Sequence, residues 1–175
     1  MDKQQYFLGL GSNIDPRENM PKMIAALFDR MGQLDISKVY RTAPENLNSD
    51  NYFLNAAVRI ESELNKAELK KWLVGIEEHL GRDRSDPDKK IKDRTADIDI
   101  LFCLPVQQQR IKSSHLPEEV YMQQPLVELL KYLRYEISGA GDYSAQPGVE
   151  LMVNDWSVGT KEVSLRQRES VVAEL

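Results

Sequence analysis

Asp97-Ile98-Asp99 is the triplet richest in chemistry. Side chains alternate along a strand, so both carboxylates face one way, about 7 Å apart at Cα, while Ile98 and Ile100 turn to a core. Two carboxylates on one rigid face suit Mg2+, which takes oxygen ligands and shares its shell with substrate phosphates. Two such ions can clamp both sides of a phosphoryl transfer. On its own, a D-x-D is more often a solvated strand face. Its neighbours change that weighting: Arg94 and Thr95 stand just upstream, and Arg82 and Arg84 open a charged loop. Guanidinium groups bind phosphate oxygens bidentately and stabilise charge that develops during transfer. Without a phosphate, such a mixed-charge loop is ordinary solvated surface.

Asn55 is a polar residue in the apolar run Phe53-Leu54-Asn55-Ala56-Ala57-Val58. Its buried amide needs partners, which either the backbone or a flat heterocycle can supply. Phe53, two residues earlier on the same face, is a core ring or a stacking platform. His115 follows the basic stretch Arg110-Ile111-Lys112, and a lone histidine is more often structural than catalytic. No G-x-x-x-x-G-K-[ST] occurs, which excludes a P-loop, and Gly9 and Gly11 lack the third glycine of a dinucleotide fingerprint. The segment Gly9-Leu10-Gly11-Ser12-Asn13 reads as a tight strand-to-helix turn.

The elements that must position these residues follow from periodicity. Residues 6–10 read as a buried strand, and Asp15-Pro16 as the cap and first turn of a helix. Met20, Met23, Ile24, Leu27, Phe28 and Met31 line one face of that helix, which ends at Gly32. Residues 36–41 and 53–61 read as the next strands, with a polar loop over 43–51 between them. Asn65 caps a second helix whose buried face is Leu69, Trp72, Leu73, Ile76 and Leu80, closed by Gly81. A charged loop over 82–94 leads to a strand over 97–103, and a third helix is expected over 125–135. The order strand, helix, strand, strand, helix, strand predicts an α+β fold. It is a ferredoxin-like split βαβ sandwich, a mostly antiparallel sheet with helices on one face. Added strands are expected within residues 146–175.

The 175 residues suit one domain, 1–175. With 23 Lys and Arg against 28 Asp and Glu, the net charge of −5 argues against nucleic acid and anionic membranes as partners. No apolar run is long enough to span a membrane, and the first five residues carry no signal segment, so a cytoplasmic protein is expected. The single Cys103 excludes an internal disulfide and a cysteine zinc cluster.

Taken together, the residues resemble the 6-hydroxymethyl-7,8-dihydropterin pyrophosphokinase family over about residues 5 to 130. The resemblance is carried by Gly9-Leu10-Gly11-Ser12-Asn13, Tyr40-Arg41-Thr42-Ala43-Pro44, Tyr52-Phe53-Leu54-Asn55-Ala56-Ala57-Val58, Ile76-Glu77, Gly81-Arg82-Asp83-Arg84, and the stretch from Arg94 to Phe102. It implies transfer of the diphosphoryl unit of ATP to the hydroxymethyl group of the pterin. Two Mg2+ ions are implied at Asp97 and Asp99, with Arg82 and Arg94 catalytic beside them. Arg84, Arg110, His115 and the backbone of Ile100 would meet the nucleotide. Thr42, Ala43 and Asn55 would bond the pterin edge, with the ring between Phe53 and Tyr121. The expected partners are therefore ATP and the hydroxymethyl-dihydropterin, bound by a monomer, with a homodimer the alternative.

The sequence departs from the family pattern at several places. Lys90-Ile91-Lys92-Asp93 stands where the family carries a tryptophan and a Gly-Pro, with about two residues inserted. Glu45 replaces a leucine, Glu118-Glu119-Val120 stands where an arginine is usual, and Leu116 where an aromatic is common. Two acids near a triphosphate repel it. These departures motivate a rival reading, a catalytically weak paralogue that binds a pterin or nucleotide as a sensor or partner protein. An RNA-binding module would need aromatics and a basic face on the central strands, where this chain has acids.

Overall fold

The computed structural model describes residues 2–168 except 46 and 48. Strand β1 (Gln4–Ser12) leads into helix α1 (Pro16–Met31), with Pro16 at its start. Asp15 precedes it in the left-handed region, at φ 43°, and gives no side-chain cap, so its place at the helix start is conformational. Gly32 ends α1 at φ 71°, a conformation that suits glycine. Next come β2 (Gln33–Ile36), β3 (Tyr40–Thr42) and β4 (Phe53–Ser62). The single strand expected over 36–41 is thus two short ones, both paired to β4. Ser37 separates them, its Oγ accepting the Ala57 N–H at 2.8 Å.

Helix α2 (Lys66–His79) starts as expected at Asn65, where Asn65 and Glu68 each accept the other's backbone N–H at 2.9 Å. After the charged loop come β5 (Asp97–Pro105), β6 (Arg110–Ile111) and helix α3 (Val120–Tyr132). Helix α3 begins five residues before the expected start, and Pro125 sits inside it. Strand β7 (Glu136–Ile137) pairs parallel with β6, β8 (Leu151–Val153) and β9 (Trp156–Val158) form a hairpin, and β10 (Val163–Arg166) closes the described chain. Strands do occur in the tail; residues 169–175 of that expectation lie outside the described residues.

The main sheet runs β10-β2-β4-β1-β5, with every pairing antiparallel and β3 also on β4. With the three-residue β3 set aside, the elements from β1 to β5 give the βαββαβ order of a ferredoxin-like α+β sandwich, and β10 extends the sheet at one edge. Helices α1 and α2 cover one face, where Leu8, Leu10, Val58, Ile60 and Ile98 meet Met23, Leu27, Leu69 and Leu73. Those two helices share one face, as expected of the split βαβ unit; α3, which lies beyond that unit, covers the other, over Phe7, Phe102 and Leu104. Phe7 stacks on Phe102 at 4.4 Å. No helix among the described residues is long and apolar enough to cross a membrane.

One irregularity decides what β5 presents on each face. Phe7 pairs with Phe102 but Leu8 pairs with Ile100, so Leu101 is an extra residue in β5. Before this bulge Ile98 and Ile100 pack toward α1 and α2; after it Phe102 and Leu104 pack under α3. The carboxylates of Asp97 and Asp99 are therefore left on the α3 face, at the end of the sheet that the helix does not fill.

Candidate active site

On that face β1 contributes no side chain at two positions. A Cβ on Gly9 would lie 3.0 Å from Cε of Met122, and one on Gly11 would lie 3.1 Å from Oδ1 of Asn55. The two glycines form the floor of a cleft of about 350 Å³ between β5, β4 and the start of α3. Their role is close approach within the strand. The expected turn there is not formed, because β1 continues through Ser12.

Thr42, Ala43, Phe53, Asn55, Arg94, Asp97, Asp99 and Tyr121 all line this cleft. At one end Asn55, buried on β4, donates from Nδ2 to Thr42 Oγ1 at 2.6 Å, which fixes the amide orientation beside Phe53. Tyr121 comes from the first turn of α3. Burial, and then the charges of Glu119, Asp97 and Glu45, push its hydroxyl up, so it stays a neutral donor. At the other end sit the carboxylates.

The two carboxylates are held differently. Asp97 Oδ1 accepts from Arg82 Nη1 at 2.6 Å and Oδ2 from Arg94 Nη1 at 2.9 Å. Burial works against its ionisation, but the two guanidinium groups outweigh it and hold the carboxyl below the usual range. Asp99 is 63% exposed, and its ion-pair partner is Lys70, 3.6 Å away. Desolvation by the cleft walls, and then the neighbouring Asp97, push the Asp99 carboxyl up.

Glu77 organises the arginines from beneath. It is fully buried on α2, where burial pushes its carboxyl up. It accepts from Arg82 Nη1 at 3.2 Å, from Arg84 Nη1, and from the N–H of Ile98 at 2.7 Å. Arg84 is thus engaged away from the cleft, and Arg82 meets the site through Asp97. Arg94 is fixed by Asn13, whose Oδ1 accepts the Arg94 N–H at 2.7 Å while its Nδ2 donates to Asp93. The Nε atoms of Arg82 and Arg94 are buried with no hydrogen-bond partner among the described residues.

Three expected nucleotide contacts lie off the cleft lining. Ile100 is the next residue but one along β5 from Ile98; strand alternation points its N–H and C=O out of the same free edge as those of Ile98. Arg110 pairs with Glu136 at 3.0 Å on an exposed surface. His115 closes the short turn Ser113–His115, its Nδ1 accepting the Lys112 N–H at 3.1 Å and its ring 5.2 Å from that of Phe102. Glu45 and Glu119, departures from the family pattern that the resemblance sets near the substrates, line the cleft as well. Lys90 and Met122 line it too, unassigned from sequence, since they come from a loop and α3 far apart in the chain.

Among the described residues no group of three or more His, Cys, Asp or Glu is placed to hold a metal. Asp97 and Asp99 are an open set of two hard donors on one face. That set fits Mg2+, which completes its shell with water and phosphate oxygens.

The family model for 7,8-dihydro-6-hydroxymethylpterin-pyrophosphokinase matches residues 7–131, from β1 almost to the end of α3. A 2-amino-4-hydroxy-6-hydroxymethyldihydropteridine pyrophosphokinase of Bacillus subtilis (strain 168) is 31% identical over 141 residues, 77% of this chain and 83% of that protein. A protein of the same name from Methylorubrum extorquens is 32% identical over 133 residues, covering 70% and 80%. One from Porphyromonas gingivalis is 36% identical over 98 residues, covering 55% and 67%.

Proposed function

The chain belongs to the 7,8-dihydro-6-hydroxymethylpterin-pyrophosphokinase family, and from that premise we propose that it carries out the family's reaction in folate synthesis. The hydroxymethyl oxygen of 6-hydroxymethyl-7,8-dihydropterin attacks the β-phosphorus of ATP and loses its proton. The bond from that phosphorus to the α,β-bridging oxygen breaks, and AMP leaves. The observation that carries this reading is one cleft with two chemically distinct ends. Asn55, Thr42, Phe53 and Tyr121 form one, and Asp97, Asp99 and Arg94 the other, with the glycine floor between them.

Each residue then has a physical task. Phe53 and Tyr121 offer aromatic faces to the flat ring, and Asn55, oriented by Thr42, reads its donors and acceptors beside Ala43. Asp97 and Asp99 would hold Mg2+, which when bound would neutralise phosphate charge. Arg94 meets phosphate oxygens directly, and Arg82 keeps Asp97 ionised and aimed. The free edge of β5 at Ile100 offers an N–H and a C=O to the adenine edge, and Arg84, Arg110 and His115 serve the nucleotide once it is seated. Such catalysis needs positioning and fixed charge, with no covalent nucleophile. Lys90 brings the charged loop to the cleft, where closure would exclude competing water.

ATP labelled at the β-phosphorus tests the assignment of the transferred group. The label is expected in the pterin product and absent from AMP. Label retained in ADP would point to single phosphoryl transfer and contradict the reading.

A further inference from the structure

Helix α2 grips one residue of β5 from two sides. Lys70 and Glu77 lie seven residues apart, two turns along one face of the helix. Lys70 Nζ donates to the C=O of Ile98 at 3.1 Å, and Glu77 Oε1 accepts the N–H of the same residue at 2.7 Å. Capping the strand edge this way leaves the Lys70 ammonium 3.6 Å from Asp99 Oδ1.

The contrast with Asp97 gives this contact its meaning. Asp97 is gripped by two guanidinium groups whose side chains are 8% and 15% exposed. Lys70 is 37% exposed and its pairing with Asp99 is loose. A lysine ammonium is a compact point charge on a flexible stem, able to trade a carboxylate for a phosphate. A divalent cation taking Asp99 as a ligand competes with that ammonium for the same carboxylate, and the two cations repel.

We propose that Lys70 is a positioning residue that serves as the resident counter-cation of Asp99 and makes metal loading depend on the nucleotide. Without nucleotide the ammonium occupies the carboxylate and weakens divalent-metal binding. A polyphosphate arriving at the same face offers the ammonium a new partner and frees Asp99 for the metal. This rests on the function proposed above, and it assigns to α2 a residue that does not itself line the cleft.

The test is Mn2+ binding to the whole protein, read from the paramagnetic resonance of free Mn2+, with and without α,β-methylene-ATP. Lys70→Met keeps the stem and removes the charge; Lys70→Arg keeps the charge. Without nucleotide, Lys70→Met is expected to bind Mn2+ roughly fivefold more tightly than wild type, the scale of one exposed ion pair, with Lys70→Arg near wild type. With the analogue the gap between wild type and Lys70→Met closes or reverses. Equal Mn2+ affinity of wild type and Lys70→Met in both conditions, with the analogue enhancing both, overturns the role of Lys70 and leaves the proposed function standing. Absence of Mn2+ binding by wild type even with the analogue overturns both.

Discussion

Arg82 holds Asp97 at 2.6 Å through a guanidinium that is itself 8% exposed and shared with the buried Glu77. Asp97 is therefore a structural ion-pair partner as well as a candidate metal ligand, while Asp99, two residues on, makes a loose, exposed ion pair with Lys70 at 3.6 Å. From sequence, strand alternation puts both on one face and does not tell them apart. The structure separates them. Asp97→Ala is expected to cost about 2–3 kcal/mol, the scale of charged hydrogen bonds lost from a buried donor. Asp99→Ala should stay within about 0.5 kcal/mol. Both are expected to abolish transfer. Urea midpoints measured beside activity check the pair, and equal midpoints would remove the structural role of Asp97.

The same ion pairs set an acid limit. The Asp97 carboxyl lies lower in the folded chain than in the unfolded one, so the unfolded state takes up its proton first as pH falls. Its stabilisation is complete above the unfolded value near pH 4 and drains away as pH drops through the folded value. The stability difference between wild type and Asp97→Asn should therefore be constant from about pH 7 to 5 and shrink below about pH 4. Urea titrations of both proteins across that range measure it; a gap that grows on acidification would contradict the assignment.

Gly11 carries a prediction about the acceptor end. A Cβ there meets Asn55 Oδ1 at 3.1 Å, so Gly11→Ala must push the amide and disturb its bond to Thr42. The expected result is a higher KM for the pterin, roughly tenfold if about 1.4 kcal/mol of binding is lost, with the KM for ATP near wild type. Steady-state kinetics with each substrate varied in turn decides it. An effect confined to ATP would place the glycine in a different half of the site.

Glu77→Ala removes the acceptor for two arginines and for the Ile98 N–H together. Breaking a buried charge cluster by deleting one partner costs about 3–5 kcal/mol, and Arg82 loses one of its two carboxylates. The variant should be markedly destabilised in urea, with kcat reduced more than either KM. Glu77→Gln, which can still accept the Ile98 N–H, is expected to recover part of the stability. Equal losses in the two variants would mean that the charge matters and the backbone contact does not.

Most of the framework is legible in the residues. Apolar periodicity locates α1 and α2, the Asn65 cap is visible, and the D-x-D spacing puts Asp97 and Asp99 on one face. Four features are not legible, each for a physical reason. Gly9 and Gly11 look like turn residues until Met122 and Asn55 are seen to need their space. The extra residue at Leu101 breaks the two-residue alternation that strand reading relies on. Pro125 reads as a helix start, but the apolar face under α3 carries the helix back to Val120. The contacts of Glu77 and Lys70 with Ile98 span 21 and 28 residues in sequence, a separation at which local pattern carries no signal.

The central claim is that this cleft moves a diphosphoryl group from ATP to a pterin. The most direct measurement is AMP release by the purified protein with ATP and Mg2+, with and without 6-hydroxymethyl-7,8-dihydropterin, alongside Asp99→Ala. AMP formed only when the pterin is present, and lost in Asp99→Ala, is the predicted result. AMP formed equally without the pterin, or none formed while the pterin binds in a parallel titration, would contradict it.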